Sequence, residues 1–480
     1  YIFLFLPVAW GLYFVFNRYT GKAAGQLWLF VCSLFFYAWW NILYLPLLLG
    51  SILVNFYAGR MLQGEFAAFN RIPRKAILAA GLAFNIGLLG YCKYSNFLIK
   101  TINSAAGTGI SLLNIMLPLG ISFFTFMQIS FLMDVYRGRT EEKSILLYGV
   151  FASFFPYIVS GPITRHEELV PQLEEHDKQS LNHSNISAGI FLFAVGLFKK
   201  TFIADTLAIW ANRGFDTVNA LNFFEAWLTS LSYTFQLYFD FSGYTDMALG
   251  TALFFNLRLP INFDSPYKSL SIQEFWRRWH MSLSRFLRDY VYISLGGSRS
   301  GEIRTYVNTF LTFLVAGIWH GAGWTFILWG IAHGCALIVQ RLWGKTSIRL
   351  HKAVSWFITF NFINAAWVIF RAKDLDGAIN VYRGMLGLNG VLLSSKLKGL
   401  TFLKSLGVEF GNWPAVIGKD LSYMVYFIAA AAIVAFIGRN SNEFSEKLNP
   451  GWTWFLFISI ILGIGLIHVT RISNFLYANF

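Results

Sequence analysis

Apolar runs recur from one end of the chain to the other, separated by short connections rich in lysine and arginine. The pattern predicts helices over Ile2 to Phe16, Gln26 to Tyr44, Leu45 to Ala58, Ala76 to Ile99, Leu117 to Val135, Ile145 to Val159, Ile186 to Ala204 and Phe223 to Phe255. It continues with Thr305 to Ile318, Trp324 to Leu342, Ala353 to Phe370, Leu421 to Gly438 and Trp452 to Val469. A spanning helix needs about 20 residues, so some runs are tilted, re-entrant or buried, and about ten to twelve true spans are expected. Arg18 and Lys22 follow the first run, the opposite order to a cleavable signal peptide, which makes it a span that starts outside. The chain opens at Tyr1, and a few residues are expected ahead of it. Three polar stretches interrupt the pattern: 163–187, 256–304 and 371–420. The last is too short and mixed for an enzyme domain of its own, so one membrane domain over 1–480 is expected, with its core motifs in 117–342 and a tail at 471–480. No repeat relates the two halves, which argues against an inverted-repeat transporter.

Composition sharpens this reading. Of the 480 residues 56% are hydrophobic and only 13% charged, with mean hydropathy +0.52, against about 25% charged in soluble proteins. Secreted disulfide-framed and disordered classes are excluded. The net charge of +14 sits in loops between apolar runs, where it favours the cytoplasmic side and makes a lipid surface the expected partner, with no nucleic acid. Cys32, Cys92 and Cys335 lie within apolar segments at neither disulfide nor metal spacing. No phosphate loop, dinucleotide fingerprint or zinc motif is present, so no bound metal or permanent cofactor is expected.

Ionisable residues at membrane depth are costly and mark function. In IWHGAGWTFILWGIAHG, His320 stands between glycines that allow close backbone approach, in an apolar setting that favours the neutral imidazole of a general base. His333 follows 13 residues later; on one straight helix that is about 220° of rotation and about 20 Å of rise, so the rings would not meet unless the glycines fold the helix back. In QEFWRRWHMSLSRFLRDYVYISLGGSR, His280 lies among Arg277, Arg278, Arg285 and Arg288. Phe275, Trp279, Phe286 and Tyr290 there suggest the aromatic face of one interfacial helix. The guanidinium groups suit a phosphate-bearing donor such as a coenzyme A thioester, or lipid headgroups. In QLYFDFSGYTDMALG, Asp240, Ser242, Tyr244 and Asp246 either line a cavity, hold an ion or satisfy backbone broken around Gly243. Asp134 and Asp205 share that ambiguity.

SFFTFMQISFLMDVYRG, FPYIVSGPITR, YFDFSGYTDMALG, FWRRWHMSLSRFLRDYVYISLGGSR and VAGIWHGAGWTFILWGIAHG occur in this order. With them the chain resembles the membrane-bound O-acyltransferase superfamily, and within it the bacterial membrane subunits that O-acetylate alginate or peptidoglycan. The D-alanine exporters of teichoic acid are the next branch. The resemblance implies an all-α polytopic protein, a ring of helices around a funnel, with His320 as the catalytic histidine of a Trp-His-Gly motif. His280 matches the position where eukaryotic relatives carry asparagine, and His333 a second histidine of the bacterial branch. Trp319, Trp279, Asp240 and Tyr244 fall along the implied tunnel. The tail RISNFLYANF resembles terminal aromatic motifs whose tyrosine carries the acyl group, which points to Tyr477; Ala478 departs from the pattern.

The expected function is therefore a multi-pass acetyltransferase of a bacterial inner membrane. It takes acetyl from cytoplasmic acetyl-CoA and passes it outward to a periplasmic partner of the SGNH serine-hydrolase type for O-acetylation of an exported polysaccharide. A D-alanyl exporter and a transporter without acyl chemistry remain the alternatives.

Overall fold

The computed structural model describes residues 1–66, 71–175, 180–395, 398–399, 401–411, 417–418, 421–447 and 451–469. Among the described residues, apart from one short parallel strand pair, β1 (Val391–Ser394) with β2 (Val408–Gly411), the regular structure is helical. In chain order the helices are α1 (Phe5–Tyr19), α2 (Lys22–Trp40), α3 (Leu45–Leu62), α4 (Arg74–Leu89), α5 (Ser95–Ala106), α6 (Ile121–Tyr136) and α7 (Ile145–Ser153). There follow α8 (His166–Glu174), α9 (His183–Phe198), α10 (Asp205–Asp216), α11 (Phe223–Phe254), α12 (Ile272–Arg278), α13 (Met281–Phe286) and α14 (Glu302–His320). Last come α15 (Trp324–Trp343), α16 (Lys352–Arg371), α17 (Leu375–Met385), α18 (Leu421–Phe436), α19 (Ser441–Glu446) and α20 (Trp452–His468).

Six helices among the described residues are long and apolar enough to cross a membrane, and α6, α18 and α20 are shorter apolar helices. Three of the six are compound: a 3-10 turn at Ile42–Tyr44 leads into α3, a π-helical turn at Gly90–Tyr94 joins α4 to α5, and another at Lys199–Ala204 joins α9 to α10. The chain is thus an all-α polytopic membrane protein, as its apolar pattern implies.

Without water to compete, packing in such a bundle depends on small residues and on polar side chains that find each other. Helices α9 and α11 meet through two glycine pairs: a Cβ on Gly196 would lie 2.5 Å from the Gly243 carbonyl, and one on Gly250 2.6 Å from that of Gly189. Helix α11 therefore runs unbroken through Gly243, and the broken backbone entertained there does not exist. Helices α3, α4 and α6 are joined by a buried amide cluster, in which Ser51 Oγ donates to Gln128 Oε1 (2.7 Å) and Asn85 Nδ2 to Asn55 Oδ1 (2.6 Å). Part of the 371–420 insertion docks on the bundle, since Gly384 of α17 lets the backbone approach the Leu221 carbonyl.

Candidate active site

The last helical residue of α14 is His320, because Gly321 is fully extended (φ −162°, ψ 155°) and the chain turns back at Gly323 into α15. The returning helix lies against α14 backbone to backbone: a Cβ on Gly317 would sit 2.9 Å from Gly330 Cα, and one on Gly330 2.5 Å from the Phe313 carbonyl. The straight-helix geometry that would keep His320 and His333 apart is thereby overturned. Trp329 stands between them, its ring 4.9 Å from that of His320 and 4.6 Å from that of His333. Trp276 Nε1 donates to His333 Nδ1 (3.2 Å), which leaves the ring proton of neutral His333 on Nε2.

His280 reaches the same centre from a different direction. The stretch around it is not one interfacial helix but is broken between α12 and α13, with His280 in the left-handed region (φ 43°, ψ 54°). The break is held by a short antiparallel pairing, where Asp264 N donates to Arg278 O and Met281 N to Asn262 O. Consequently Phe275, Trp279, Phe286 and Tyr290 are all buried rather than spread along a lipid-facing stripe. Asn262 Oδ1 accepts from the amide (3.1 Å) and hydroxyl (2.6 Å) of Ser282 and faces His280 Nδ1 at 3.4 Å. This assigns the His280 ring proton to Nδ1 and leaves Nε2 a free lone pair in the interior. The His280 ring lies 6.3 Å from that of Trp319, which in turn is 5.0 Å from His320. His280, His320 and His333 are 0%, 3% and 0% exposed and form, with Trp319 and Trp329, one continuous aromatic array.

Beside this array opens a cavity of about 910 Å³ lined by Arg258, Arg277, Arg285, Arg288 and Arg341. Arg285 is paired with Glu168 through two contacts (2.5 and 3.2 Å), and Arg288 with Asp289 (2.6 Å), which Arg165 also holds. Burial alone would raise the Asp289 carboxyl, but Arg288 and Arg165 outweigh it and hold it below the usual carboxylate range. Arg278 does not line the cavity; it pairs with Glu274 (3.0 Å) and Asp264 (3.3 Å). The cavity wall includes Trp276, which bonds His333, and Ser282, which bonds the Asn262 beneath His280. The arginines and the imidazoles thus share two wall residues.

Trp319, a member of the array, is also stacked on Phe126 (4.8 Å), and Trp279 is stacked on Phe275 (5.5 Å), both buried. Other sequence candidates fall elsewhere. Asp240 is paired with Lys200 (2.7 Å), which also binds Asp205, and Asp246 is paired with Lys199 (2.7 Å). Asp240 and Tyr244 do not line the arginine cavity. Asp134 accepts from the Tyr290 hydroxyl. Tyr477 lies outside the described residues. Among the described residues no cluster of histidine, cysteine and carboxylates could hold a metal ion. Asn262, Trp276 and Trp329 were not picked out from the sequence, because their roles arise from the break at His280 and the turn at Gly321. Lys93 carries a readable signal, a lone basic residue inside an apolar run.

Residues 144–372, which contain the array, match the membrane-bound O-acyltransferase family. The whole chain is 43% identical to a peptidoglycan O-acetyltransferase of Helicobacter pylori, covering 96% of that protein. It is 42% identical to a probable alginate O-acetylase of Pseudomonas aeruginosa over 80% of this chain and 73% of the relative. A teichoic acid D-alanyltransferase of Bacillus subtilis is 29% identical over 54% of this chain and 70% of its own length.

Proposed function

Since the chain belongs to the membrane-bound O-acyltransferase family, we propose that this acyltransferase moves acetyl from cytoplasmic acetyl-CoA to the far side of a bacterial inner membrane for O-acetylation of an exported polysaccharide. Similarity over its entire length to a peptidoglycan O-acetyltransferase favours peptidoglycan as that polymer. The observation that carries the proposal is the buried imidazole array next to an arginine-lined cavity.

Arg341, in the last turn of α15, lines the cavity and stands just ahead of the connection that carries Lys345 and Arg349, so by the positive-inside rule the cavity opens toward the cytoplasm. Arg258 and Arg277 make no ion pair among the described residues, and with Arg341, which acts on Glu302 only at longer range, they suit the phosphates of coenzyme A. A carrier-protein thioester lacks the nucleotide phosphates, so this cavity favours free acetyl-CoA over a D-alanyl carrier. His320 takes the proton of the acceptor hydroxyl, the oxygen attacks the thioester carbon, the carbon–sulfur bond breaks and the thiolate leaves with a proton. Trp329 and Trp319 hold the His320 ring, and His280 presents its Nε2 lone pair to the same interior. The first acceptor is the Tyr477 hydroxyl, which hands acetyl to a periplasmic SGNH-type partner.

Purified protein incubated with isotopically labelled acetyl-CoA is expected to release coenzyme A and carry label on its C-terminal peptide. Thioester turnover with no label there would remove Tyr477 from the path and leave a hydroxyl of the partner or the sugar as acceptor. Absence of any turnover, with ion or solute flux instead, would favour a transporter.

A further inference from the structure

The carboxyl end of α14 is held by another helix. The last four carbonyls of an α-helix have no partner within it, and inside a membrane bundle water does not supply one. Here Tyr94 Oη donates to Ile318 O (2.6 Å), and Lys93 Nζ donates to Trp319 O (2.6 Å) and His320 O (3.1 Å). Lys93 also contacts Ser122 Oγ (3.3 Å), and its ammonium lies 5.8 Å from the Trp319 ring. Three successive carbonyls that end at His320 are therefore satisfied by two adjacent side chains. Both come from the π-helical turn Gly90–Tyr94, the local irregularity that often accompanies functional positions. No carboxylate among the described residues pairs with Lys93, so the two carbonyls at the negative end of the α14 dipole and the Ser122 hydroxyl are its polar partners.

We propose that Lys93 is a positioning residue for acyl transfer, which with Tyr94 clamps the end of α14 so that His320 keeps its aim. This rests on His320 acting as the base. Past His320 the chain has only Gly321, Ala322 and Gly323 before the next helix; α15 restrains the His320 ring through Trp329 but supplies no hydrogen bond to the last α14 carbonyls. Catalytic groups must be held to within about 0.5 Å of their working geometry, and the clamp supplies that restraint from outside the hairpin.

The test compares full-length Lys93→Met, Lys93→Arg, Tyr94→Phe and His320→Ala on monodisperse protein, with the melting midpoint of each measured beside acetyl-CoA turnover. Lys93→Met is expected to lower kcat about tenfold or more with KM for acetyl-CoA and the melting midpoint nearly unchanged. Lys93→Arg, which restores a cationic donor, should recover most of that loss, and Tyr94→Phe should fall in between. Wild-type turnover in Lys93→Met beside a dead His320→Ala would overturn the clamp and leave the base intact. A loss that tracks a lowered melting midpoint, or that arginine does not repair, would reduce Lys93 to scaffolding and equally overturn it. An active His320→Ala would instead refute the base assignment. Should Lys93→Met fail to fold, Lys93→Gln is read by the same criteria.

Discussion

His320 and His333 sit in one hairpin on either side of Trp329, and this contact changes what substitutions should do. His320→Ala is expected to fold and insert normally and to lose roughly 10²- to 10⁴-fold in acetyl transfer, the usual share of a general base. His333→Ala removes the acceptor of the Trp276 indole and a wall of Trp329, so a drop of roughly tenfold is expected rather than a neutral result. Rates of coenzyme A release from the two purified variants check both, and a fully active His333→Ala would detach that residue from the array. The three histidines were legible in the sequence because a titratable ring in an apolar run has few innocent reasons to be there. Their mutual arrangement was not, because it depends on where two helices break. Asp240 shows the opposite limit: the same rule selected it, and the structure gives it a lysine partner away from the arginine cavity.

Among the elements, apolar length located most helices to within a few residues, as with α11, predicted over Phe223 to Phe255 and found at Phe223–Phe254. The failure lies at α12 and α13, where aromatic spacing imitated one amphipathic helix while pairing with residues 262–264 broke it. The close backbone approach that the glycines around His320 allow is one of helix on helix at Gly317 and Gly330. Gly330→Ala should therefore force α14 from α15 at a cost of about 1–3 kcal/mol, visible as a lower melting midpoint. Asp289 allows a test of sign. Its carboxyl is held low by Arg288 and Arg165 against the burial that would raise it, so its stabilisation is complete above the unfolded value of about 4 and fades as pH falls through the folded one. Asp289→Asn is thus expected to lower the melting midpoint at pH 7, and the gap to wild type should close as the pH is taken well below about 4. A gap independent of pH would mean that Asp289 acts through its shape alone.

For the whole molecule, charge asymmetry in the loops sets the expected orientation. Lys345 meets Glu302 and Lys22 reaches Glu174 O, while Asp216 joins Arg371 and Lys373 at the ends of α10 and α16. In a background without Cys32, Cys92 and Cys335, single cysteines at Ser347 and at Ser111, in the connection between α5 and α6, are expected to react with an impermeant thiol reagent from opposite sides. Reaction from one side would invert or fold back part of this topology. The amide cluster of α3, α4 and α6 has a further consequence, for the order in which the chain is built. Asn55 and Asn85 enter the bilayer on two early spans, and Gln128, which accepts from Asn55 and Ser51, emerges only with α6. Until then the first two helices carry polar groups with half their partners missing, so release from the insertion machinery into open lipid is unfavourable. The nascent hairpin has reason to wait at the translocation site for its third helix, and biogenesis of this enzyme would then proceed in units of three helices rather than one.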